Sequence, residues 1–253
     1  MKKIGLALGG GAVLGAAHIG VLRALEEMDV EVSFITGTSI GAFVGALYAF
    51  GNTSKDIEEI ALELKWMDIS GIAIFESGLL SNAKLGKLLS KSMEDKKIED
   101  AEIPLAVVAT DITSGDKVVI DKGAVAQAVM ASTCIPGVFS PVEFDEKLLV
   151  DGGIVENIPI DTVKNMGAEY VIGVDLNAKK MYNKPDSILD VMINSFHFTL
   201  KAAAKYQTQD ANLLITPDLS KFNMISTDQI KDLIEQGYKD AKEQLEKVDL
   251  PVK

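Results

Sequence analysis

The hydrophobic positions of this chain fall into short apolar runs, separated by longer stretches in which apolar residues recur with a helical period. This alternation is typical of a mostly parallel β-sheet flanked by helices. The runs that predict strands are Ile4–Leu8, Val32–Thr36, Leu105–Ala109, Lys117–Ile120, Leu148–Val150, Tyr170–Val174 and Leu213–Ile215. Helices are predicted to begin near Gly15, Ser39, Ser54, Ala83, Val125, Asp161, Ser187 and Thr227. We therefore expect a three-layer α/β fold in which residues 1–253 form one domain.

The clearest single helix is the last one, predicted over about Asp228–Lys247, with its apolar residues on one face. The least regular part of the chain is Trp66–Asn82, which is rich in glycine, serine and apolar residues. A long irregular loop in a compact domain is often a lid over a site. It can equally tuck its apolar side chains into the core, and the sequence leaves both interpretations open.

Size and charge exclude several classes of function. The chain has 253 residues, of which 47% are hydrophobic, and a formal net charge of −12. This charge argues against nucleic acid as a partner and against firm docking on an anionic membrane, since both favour basic surfaces. It does not forbid transient contact with lipid. The composition makes no prediction about the oligomeric state.

The amino terminus resembles a signal peptide, because two lysines precede the apolar run Ile4–Leu8. We reject this interpretation because three consecutive glycines interrupt the run, and cleavage near Ala16 would remove them. No apolar run approaches the ~20 residues of a membrane span. We therefore expect a cytoplasmic protein. The single cysteine, Cys134, excludes an internal disulfide and a cysteine-based zinc site, and is expected to be a small buried residue.

The segment Gly37-Thr38-Ser39-Ile40-Gly41 fits a nucleophile elbow. In that motif a serine lies on a tight turn between a strand and a helix, and the flanking glycines avoid side-chain collisions. A buried apolar run precedes this segment, and a helix rich in small residues follows it. The alternative, a serine that merely caps a helix, explains less of this context.

A second glycine-rich segment, Gly9–Gly15, follows the first predicted strand and precedes a helix. Bare backbone N–H groups beside a helix N-terminus suit a negative charge, such as the oxyanion of an acyl-transfer reaction. A dinucleotide fingerprint fits poorly, because Leu14 stands where the last glycine belongs and no carboxylate ends the second strand. A phosphate-binding P-loop fails because Gly15 is followed by alanines.

A serine nucleophile needs a base, and the chain offers few candidates. His18 and His197 are its two histidines, and both fall within apolar helical stretches. A triad formed by Ser39, Asp151 and His197 would follow the chain order of α/β-hydrolases, but their catalytic histidine lies on a loop. Asp151 ends a buried strand and precedes two glycines, so we favour it as the base. Asp111, at another strand end, is interpreted as structural.

These motifs together resemble the patatin-like phospholipase family, specifically short bacterial members related to the catalytic domain of neuropathy target esterase. The matching segments are Leu8–Leu22, Gly37–Gly41, Ala131–Phe139 and Val150–Gly153. The resemblance implies a patatin-like fold and a Ser–Asp dyad, with Ser39 as nucleophile and Asp151 as base.

The resemblance also implies an oxyanion hole formed by the backbone amides of Gly10, Gly11 and Ala12, with Gly37 and Gly41 shaping the elbow. Two residues depart from the family pattern. Ala12 stands where a glycine is usual, and Leu14 replaces a usual arginine or lysine, which puts the binding of an anionic headgroup in doubt.

The expected function is therefore hydrolysis of carboxylic esters of lipids, phospholipid or lysophospholipid fatty-acyl esters, without a metal or cofactor. Two other classes stay open. One is a non-catalytic scaffold of the same fold that binds lipid or protein, and the other is a dinucleotide-binding oxidoreductase. Among hydrolases, a thioesterase or a short-chain esterase also stays open.

Overall fold

The computed structural model describes residues 2–66, 93, 95–182, 184–186, 188–224 and 226–251. Within them the strands are β1 (Ile4–Leu8), β2 (Val32–Thr38), β3 (Leu105–Asp111), β4 (Lys117–Ile120), β5 (Val142–Phe144), β6 (Lys147–Asp151), β7 (Tyr170–Val174) and β8 (Leu213–Ile215). The α-helices are α1 (Ala16–Glu27), α2 (Ile40–Ala49), α3 (Ser54–Trp66), α4 (Val125–Ser132), α5 (Gly153–Glu156), α6 (Ile160–Asn165), α7 (Ile188–Gln207) and α8 (Ile230–Leu245). Short 3₁₀ helices cover Ala12–Gly15, Ile98–Asp100 and Thr227–Gln229.

All of these strands belong to one sheet, with hydrogen-bonded neighbours in the order β5-β6-β3-β2-β1-β7-β8 and with β4 also paired to β3. The pairs β1–β2, β1–β7, β2–β3 and β7–β8 are parallel, whereas β4, β5 and β6 pair antiparallel. The chain first builds outward from β1 to β3 and later returns to the other side of β1. Ligands of open α/β sheets bind at such a switch point, beside the carboxyl ends of the strands.

One edge of β3 brings two strand ends together. Val108 pairs with both β2 and β4, and Thr110 pairs with both β4 and β6. Because a strand has two edges, β2 and β6 must share the edge opposite β4. They run in opposite directions along it, and their final residues Thr38 and Asp151 pair with consecutive residues of β3, Val108 and Ala109.

Apolar side chains cover both faces of the sheet, which makes the fold three-layered. The larger core includes Leu6 and Leu8 of β1 and packs the sheet against α1, α2, α3, α4 and α8. The smaller core includes Ala7 of β1 and contains residues of α6 and α7. Alternate residues of one strand thus point to opposite layers. The predicted three-layer, mostly parallel α/β fold is confirmed.

Helices α1 and α8 cross with their backbones in close contact. A Cβ atom built on Gly20 of α1 would lie 2.0 Å from the carbonyl oxygen of Ile234. A Cβ atom built on Gly237 of α8 would lie 2.2 Å from the carbonyl oxygen of Ala17. Glycine at both positions is what lets α8 pack against α1 at this distance.

Several elements differ from the sequence-based expectation. Strand β5 and the short helix α5 were not predicted, and β2 and β3 each extend two residues beyond the apolar runs. The last helix begins as the 3₁₀ turn Thr227–Gln229 before α8. Trp66 is the last residue of α3, and the rest of the proposed lid, 67–82, lies outside the described residues, as does the helix predicted near Ala83. Among the described helices, none combines the length and the hydropathy needed to cross a membrane.

Candidate active site

Ser39 lies at the tight turn between β2 and α2, in a backbone conformation with φ of 55° and ψ of −126°. Positive φ is uncommon for a residue other than glycine and marks a constrained position. A Cβ atom on Gly37 would lie 2.5 Å from the Ala42 backbone, and one on Gly41 would lie 2.1 Å from the Leu8 carbonyl oxygen. Both flanking glycines are therefore required by close backbone packing, as a nucleophile elbow demands.

The turn is held by a serine from another element. The backbone N–H of Ser39 donates to Oγ of Ser132 at 2.8 Å, and the Ser132 hydroxyl donates to the Val108 carbonyl at 2.6 Å. Ser132 is the last residue of α4 and is fully buried. Sequence reasoning assigned this residue no role, although it lies inside the matching segment Ala131–Phe139.

Asp151 ends β6 and is buried, with 2% of its surface exposed. Its Oδ1 accepts the Gly153 N–H at 2.8 Å, and its own N–H donates to the Cys134 carbonyl at 2.8 Å. Burial raises the pKa of the carboxyl group to about 6, and hydrogen bonds from the Ser39 hydroxyl and the Gly153 N–H partly oppose this rise. Ser39 and Asp151 thus lie beside each other, at the point where β2 and β6 meet.

The following glycine fixes how the chain leaves this site. A Cβ atom on Gly152 would lie 2.1 Å from the Val108 carbonyl oxygen, so only glycine fits beside β3 there. An Asp–Gly pair at a strand end usually marks a simple turn. Here the pair places a buried carboxylate next to the elbow serine, and a carboxylate with a pKa near 6 is suited to act as a base at neutral pH.

Neither histidine is arranged as the partner of Ser39. His18 is fully buried in α1, and its Nε2 lies 2.8 Å from the Gly9 carbonyl oxygen, which assigns the proton to Nε2. His197 is buried in α7, where its ring stacks on Tyr182 with 5.8 Å between centroids. Burial lowers the pKa of both imidazoles to about 4. Both histidines are therefore neutral at pH 7.

The glycine-rich segment runs directly beside the elbow. A Cβ atom on Gly10 would lie 3.2 Å from Cβ of Ser39 and 2.8 Å from Oδ1 of Asn157. A Cβ atom on Gly9 would lie 2.8 Å from the Val174 carbonyl oxygen. These glycine faces are covered by protein atoms, so they do not form an open cradle for a pyrophosphate group.

The amides of this loop are not equally available. The N–H of Gly10 donates to the Asn157 carbonyl at 3.2 Å, so the oxyanion role expected for Gly10 competes with an existing hydrogen bond. Within the part of the chain that the structure describes, no acceptor takes the N–H of Gly11 or Ala12. Ala12 has φ of 51°, in the left-handed region that favours glycine. A residue that prefers other conformations is therefore held where the family usually has glycine.

The surroundings of three other residues named in the sequence analysis, Leu14, Asp111 and Cys134, indicate structural roles. Leu14 is fully buried in the larger core, so this position contributes no charge to the site. Asp111 caps the turn between β3 and β4, where its Oδ1 accepts the Thr113 N–H at 2.9 Å. Cys134 is buried, and burial raises the pKa of its thiol to about 12. Among the described residues, no group of three or more His, Cys, Asp and Glu side chains is placed to hold a metal ion.

Comparison with known proteins shows which family this chain is similar to. The family model described as patatin-like phospholipase matches residues 6–164. The mouse patatin-like phospholipase domain-containing protein 6 is 36% identical over 189 residues, which are 70% of this chain and 14% of that protein. An uncharacterized NTE family protein of Mycobacterium tuberculosis is 35% identical over 184 residues, which are 70% of this chain and 50% of that protein.

Solved structures show the same fold at low identity. The crystal structure of VipD from Legionella pneumophila has a TM-score of 0.57 at 14% identity, and the match covers 97% of this chain and 67% of that chain. ExoU, in its heterodimeric complex with SpcU from Pseudomonas aeruginosa, has a TM-score of 0.54 at 16% identity, covering 98% of this chain and 51% of that chain. At these identities the likeness concerns the fold alone.

Proposed function

The chain belongs to the patatin-like phospholipase family, and from this membership we propose that it is a serine acyl hydrolase that cleaves fatty-acyl esters of lipids, phospholipids or lysophospholipids. The observation that carries the proposal is the position of the Ser39 hydroxyl beside the buried Asp151 carboxylate at the meeting point of β2 and β6. A hydroxyl beside a carboxylate, on an elbow turn, supports a nucleophile that is activated by an adjacent base.

In the proposed mechanism, Ser39 attacks the ester carbonyl while Asp151 accepts the hydroxyl proton. Asp151 then returns this proton to the leaving alcohol, and an acyl group stays on Ser39. A water molecule, deprotonated by the same carboxylate, attacks the acyl-enzyme. The acyl–Oγ bond breaks, the fatty acid leaves, and Asp151 returns the proton to Ser39 Oγ. The raised pKa of Asp151 suits both directions of proton transfer, because an acid–base group works best with a pKa close to the working pH.

The tetrahedral intermediate carries a negative oxygen that needs hydrogen-bond donors. We assign this role to the N–H groups of Gly11 and Ala12, since the N–H of Gly10 is already a donor to Asn157. Removing one oxyanion donor typically lowers kcat by about 10² to 10³. The geometry of the glycine-rich loop is therefore nearly as important to this function as the serine.

The test is ester hydrolysis by the wild-type chain, with p-nitrophenyl esters of graded acyl length beside a phospholipid and a lysophospholipid. We expect Ser39→Ala to abolish hydrolysis without unfolding the protein, and the preferred substrate to define chain length and headgroup. Ser114→Ala is the matched control, because Ser114 lies on the β3–β4 turn, where its Oγ accepts the Asp116 N–H. A folded wild-type chain that cleaves none of these esters would support the non-catalytic scaffold instead.

Transient contact with a lipid surface, the absence of a nucleic-acid partner and a cytoplasmic location stay predictions. Each follows from composition alone, and each needs its own measurement.

A further inference from the structure

The loop that follows β7 sends one side chain into the glycine-rich segment. Asn177 is buried, and its Nδ2 donates to the carbonyl oxygen of Gly10 at 2.8 Å. Its backbone N–H donates to Oδ1 of Asp175 at 2.8 Å, which fixes the start of this loop. Residue 177 lies outside residues 6–164, the part of the chain that matches the family model.

The orientation of this side-chain amide is determined by its partner. If the amide were reversed, its Oδ1 would face the Gly10 carbonyl oxygen at 2.8 Å, and two acceptors would repel each other. In the observed orientation Oδ1 finds no hydrogen-bond partner among the described residues. Buried side-chain amides usually have partners for both the oxygen and the nitrogen. Because the Asn177 oxygen has none in the described part of the chain, the hydrogen bond to Gly10 is the interaction that fixes the orientation of this amide.

A planar peptide unit transmits this contact to the next residue. The Gly10 carbonyl and the Gly11 N–H belong to one peptide plane, and in a trans peptide these two bonds point in opposite directions. Among the described residues the structure has no cis peptide bond. By holding the Gly10 carbonyl, Asn177 therefore fixes the direction of the Gly11 N–H on the opposite side of the plane.

We propose that Asn177 is a positioning residue of the active site, which orients the Gly11 N–H as an oxyanion donor. The inference rests on the proposed acyl-hydrolase function, and it assigns to Asn177 an effect on the reaction without contact with the substrate. Glycine residues are otherwise free to rotate their peptide planes, because they lack a Cβ atom. Preorganised donors stabilise a transition state only if they already point at the developing charge.

Neighbouring peptide units of the loop are held by other groups, which makes the role of Asn177 specific. Nε2 of His18 holds the Gly9 carbonyl, and the N–H of the same peptide unit, on Gly10, donates to Asn157. The Leu14 N–H donates to the Gly11 carbonyl at 3.1 Å, which fixes the peptide unit that carries the Ala12 N–H. In the described structure, Asn177 is the side chain that holds the unit between these two.

The test replaces Asn177 by aspartate, an isostere that lacks the amide donor and, as a carboxylate, repels the Gly10 carbonyl. We expect Asn177→Asp to lower kcat by between about 10-fold and about 10³-fold, the limit set by loss of one oxyanion donor. KM should stay nearly unchanged, because the contact acts in the transition state. A trifluoromethyl ketone, which forms an oxyanion on the nucleophilic serine, should lose affinity by the same factor as kcat/KM.

Two further variants keep the result interpretable. Asn177→Ala removes the donor without adding charge and serves if the aspartate variant does not fold. Asn52→Ala is the matched control, because Nδ2 of Asn52 also donates to a backbone carbonyl, that of Leu47, at 2.8 Å, beyond the far end of α2. Both asparagine losses can lower the melting temperature, but we expect the loss of Asn177 alone to weaken binding of the ketone.

Three outcomes overturn the inference. A folded Asn177→Asp or Asn177→Ala variant with wild-type kcat shows that the orientation of the Gly11 N–H does not depend on Asn177. A fall in kcat with unchanged ketone affinity shows that Asn177 acts elsewhere. A wild-type chain that neither hydrolyses esters nor binds the ketone overturns the proposed function and this inference together, which distinguishes that failure from the first two.

Discussion

Replacing Asp151 by asparagine should remove activity and increase stability in the same variant. The introduced amide can keep the contact with Gly153, since its oxygen can accept the Gly153 N–H. Its nitrogen can donate to Ser39 Oγ, which replaces the wild-type hydrogen bond by one of opposite direction. What the variant removes is a buried negative charge. Burial raises the pKa of the Asp151 carboxyl from its ordinary value of 3.8 to about 6, so the folded protein holds the ionised form at a cost.

The size and the sign of this cost follow from proton linkage. The two pKa values differ by roughly two pH units, each of which corresponds to ~1.4 kcal/mol, so the ionised carboxylate destabilises the fold by about 3 kcal/mol. Between about pH 4 and 6 the folded state binds more protons than the unfolded state, so stability falls as pH rises. The cost is fully present above about pH 6 and absent below the unfolded pKa.

The assay is thermal or urea unfolding of wild type and Asp151→Asn at pH 8 and at pH 4. At pH 8 we expect the variant to be more stable by up to about 3 kcal/mol, or roughly 6–12 °C in melting temperature for a chain of this size. At pH 4 the difference should nearly vanish. Ester hydrolysis at pH 8 should be abolished, because an amide cannot accept the serine proton.

Asp56→Asn supplies a control with the opposite sign. The Asp56 carboxylate accepts the Thr53 hydroxyl and N–H, and these hydrogen bonds lower its pKa. Its replacement should therefore destabilise the protein at pH 8. An Asp151→Asn variant that gains nothing at pH 8, or gains equally at pH 4 and pH 8, would refute the argument that Asp151 is held ionised against its burial.

Three other predictions follow from the same structure. For the wild type, kcat/KM should rise with pH and level off above a midpoint near pH 6, because Asp151, the proposed base, must be ionised; a midpoint near pH 4 would contradict the burial of that carboxylate. His197→Ala should keep near-wild-type kcat, whereas loss of an essential base would lower it by about 10²–10⁴. Gly20→Ala should destabilise the fold by about 3 kcal/mol or more, because its Cβ would lie 2.0 Å from a backbone oxygen. By urea unfolding, Gly45→Ala should cost far less, since the nearest atom, at 3.0 Å, is a side-chain methyl of Ile35 that can shift.

Much of the fold could be predicted from periodicity, because parallel strands buried on both faces appear as continuous apolar runs. Strand β5 could not be predicted in this way. It has three residues, and its hairpin turn with β6 uses Asp145 and Glu146 at φ of 46° and 62°. Such turns favour asparagine and glycine, so this pair gives no turn signal.

The tight strand-to-helix turn at Ser39 could be predicted because the motif that forms it is local in the sequence. A side chain on Gly37 or Gly41 would collide with backbone atoms that lie within a few residues or on the adjoining strand. The meeting of Ser39 with Asp151 is different, since it depends on β6 joining the same edge of β3 as β2. Strand pairing between segments so far apart in the chain leaves no periodic signal. The position of Asp151 at a strand end before two glycines indicated it as a candidate base, and the resemblance to a family implied its pairing with Ser39.

The glycine-rich loop shows what the sequence alone does not determine. A glycine-rich segment indicates that bare amides are present, but not which of them already have acceptors. Only the structure shows that the Gly10 N–H already donates to the Asn157 carbonyl. A signal for Asn177 was present, because polar residues directly after β7 stand at the carboxyl edge of the sheet, next to the strand that leads into the loop.

Covalent labelling with a fluorophosphonate, followed by peptide mapping of the adduct, tests the proposed Ser39–Asp151 dyad directly. The proposed dyad predicts one adduct, on Ser39, that forms rapidly in wild type, slowly in Asp151→Asn and not at all in Ser39→Ala. A folded, ester-cleaving chain whose adduct lies on another residue, or whose Ser39 reacts equally fast without the Asp151 carboxylate, would contradict it.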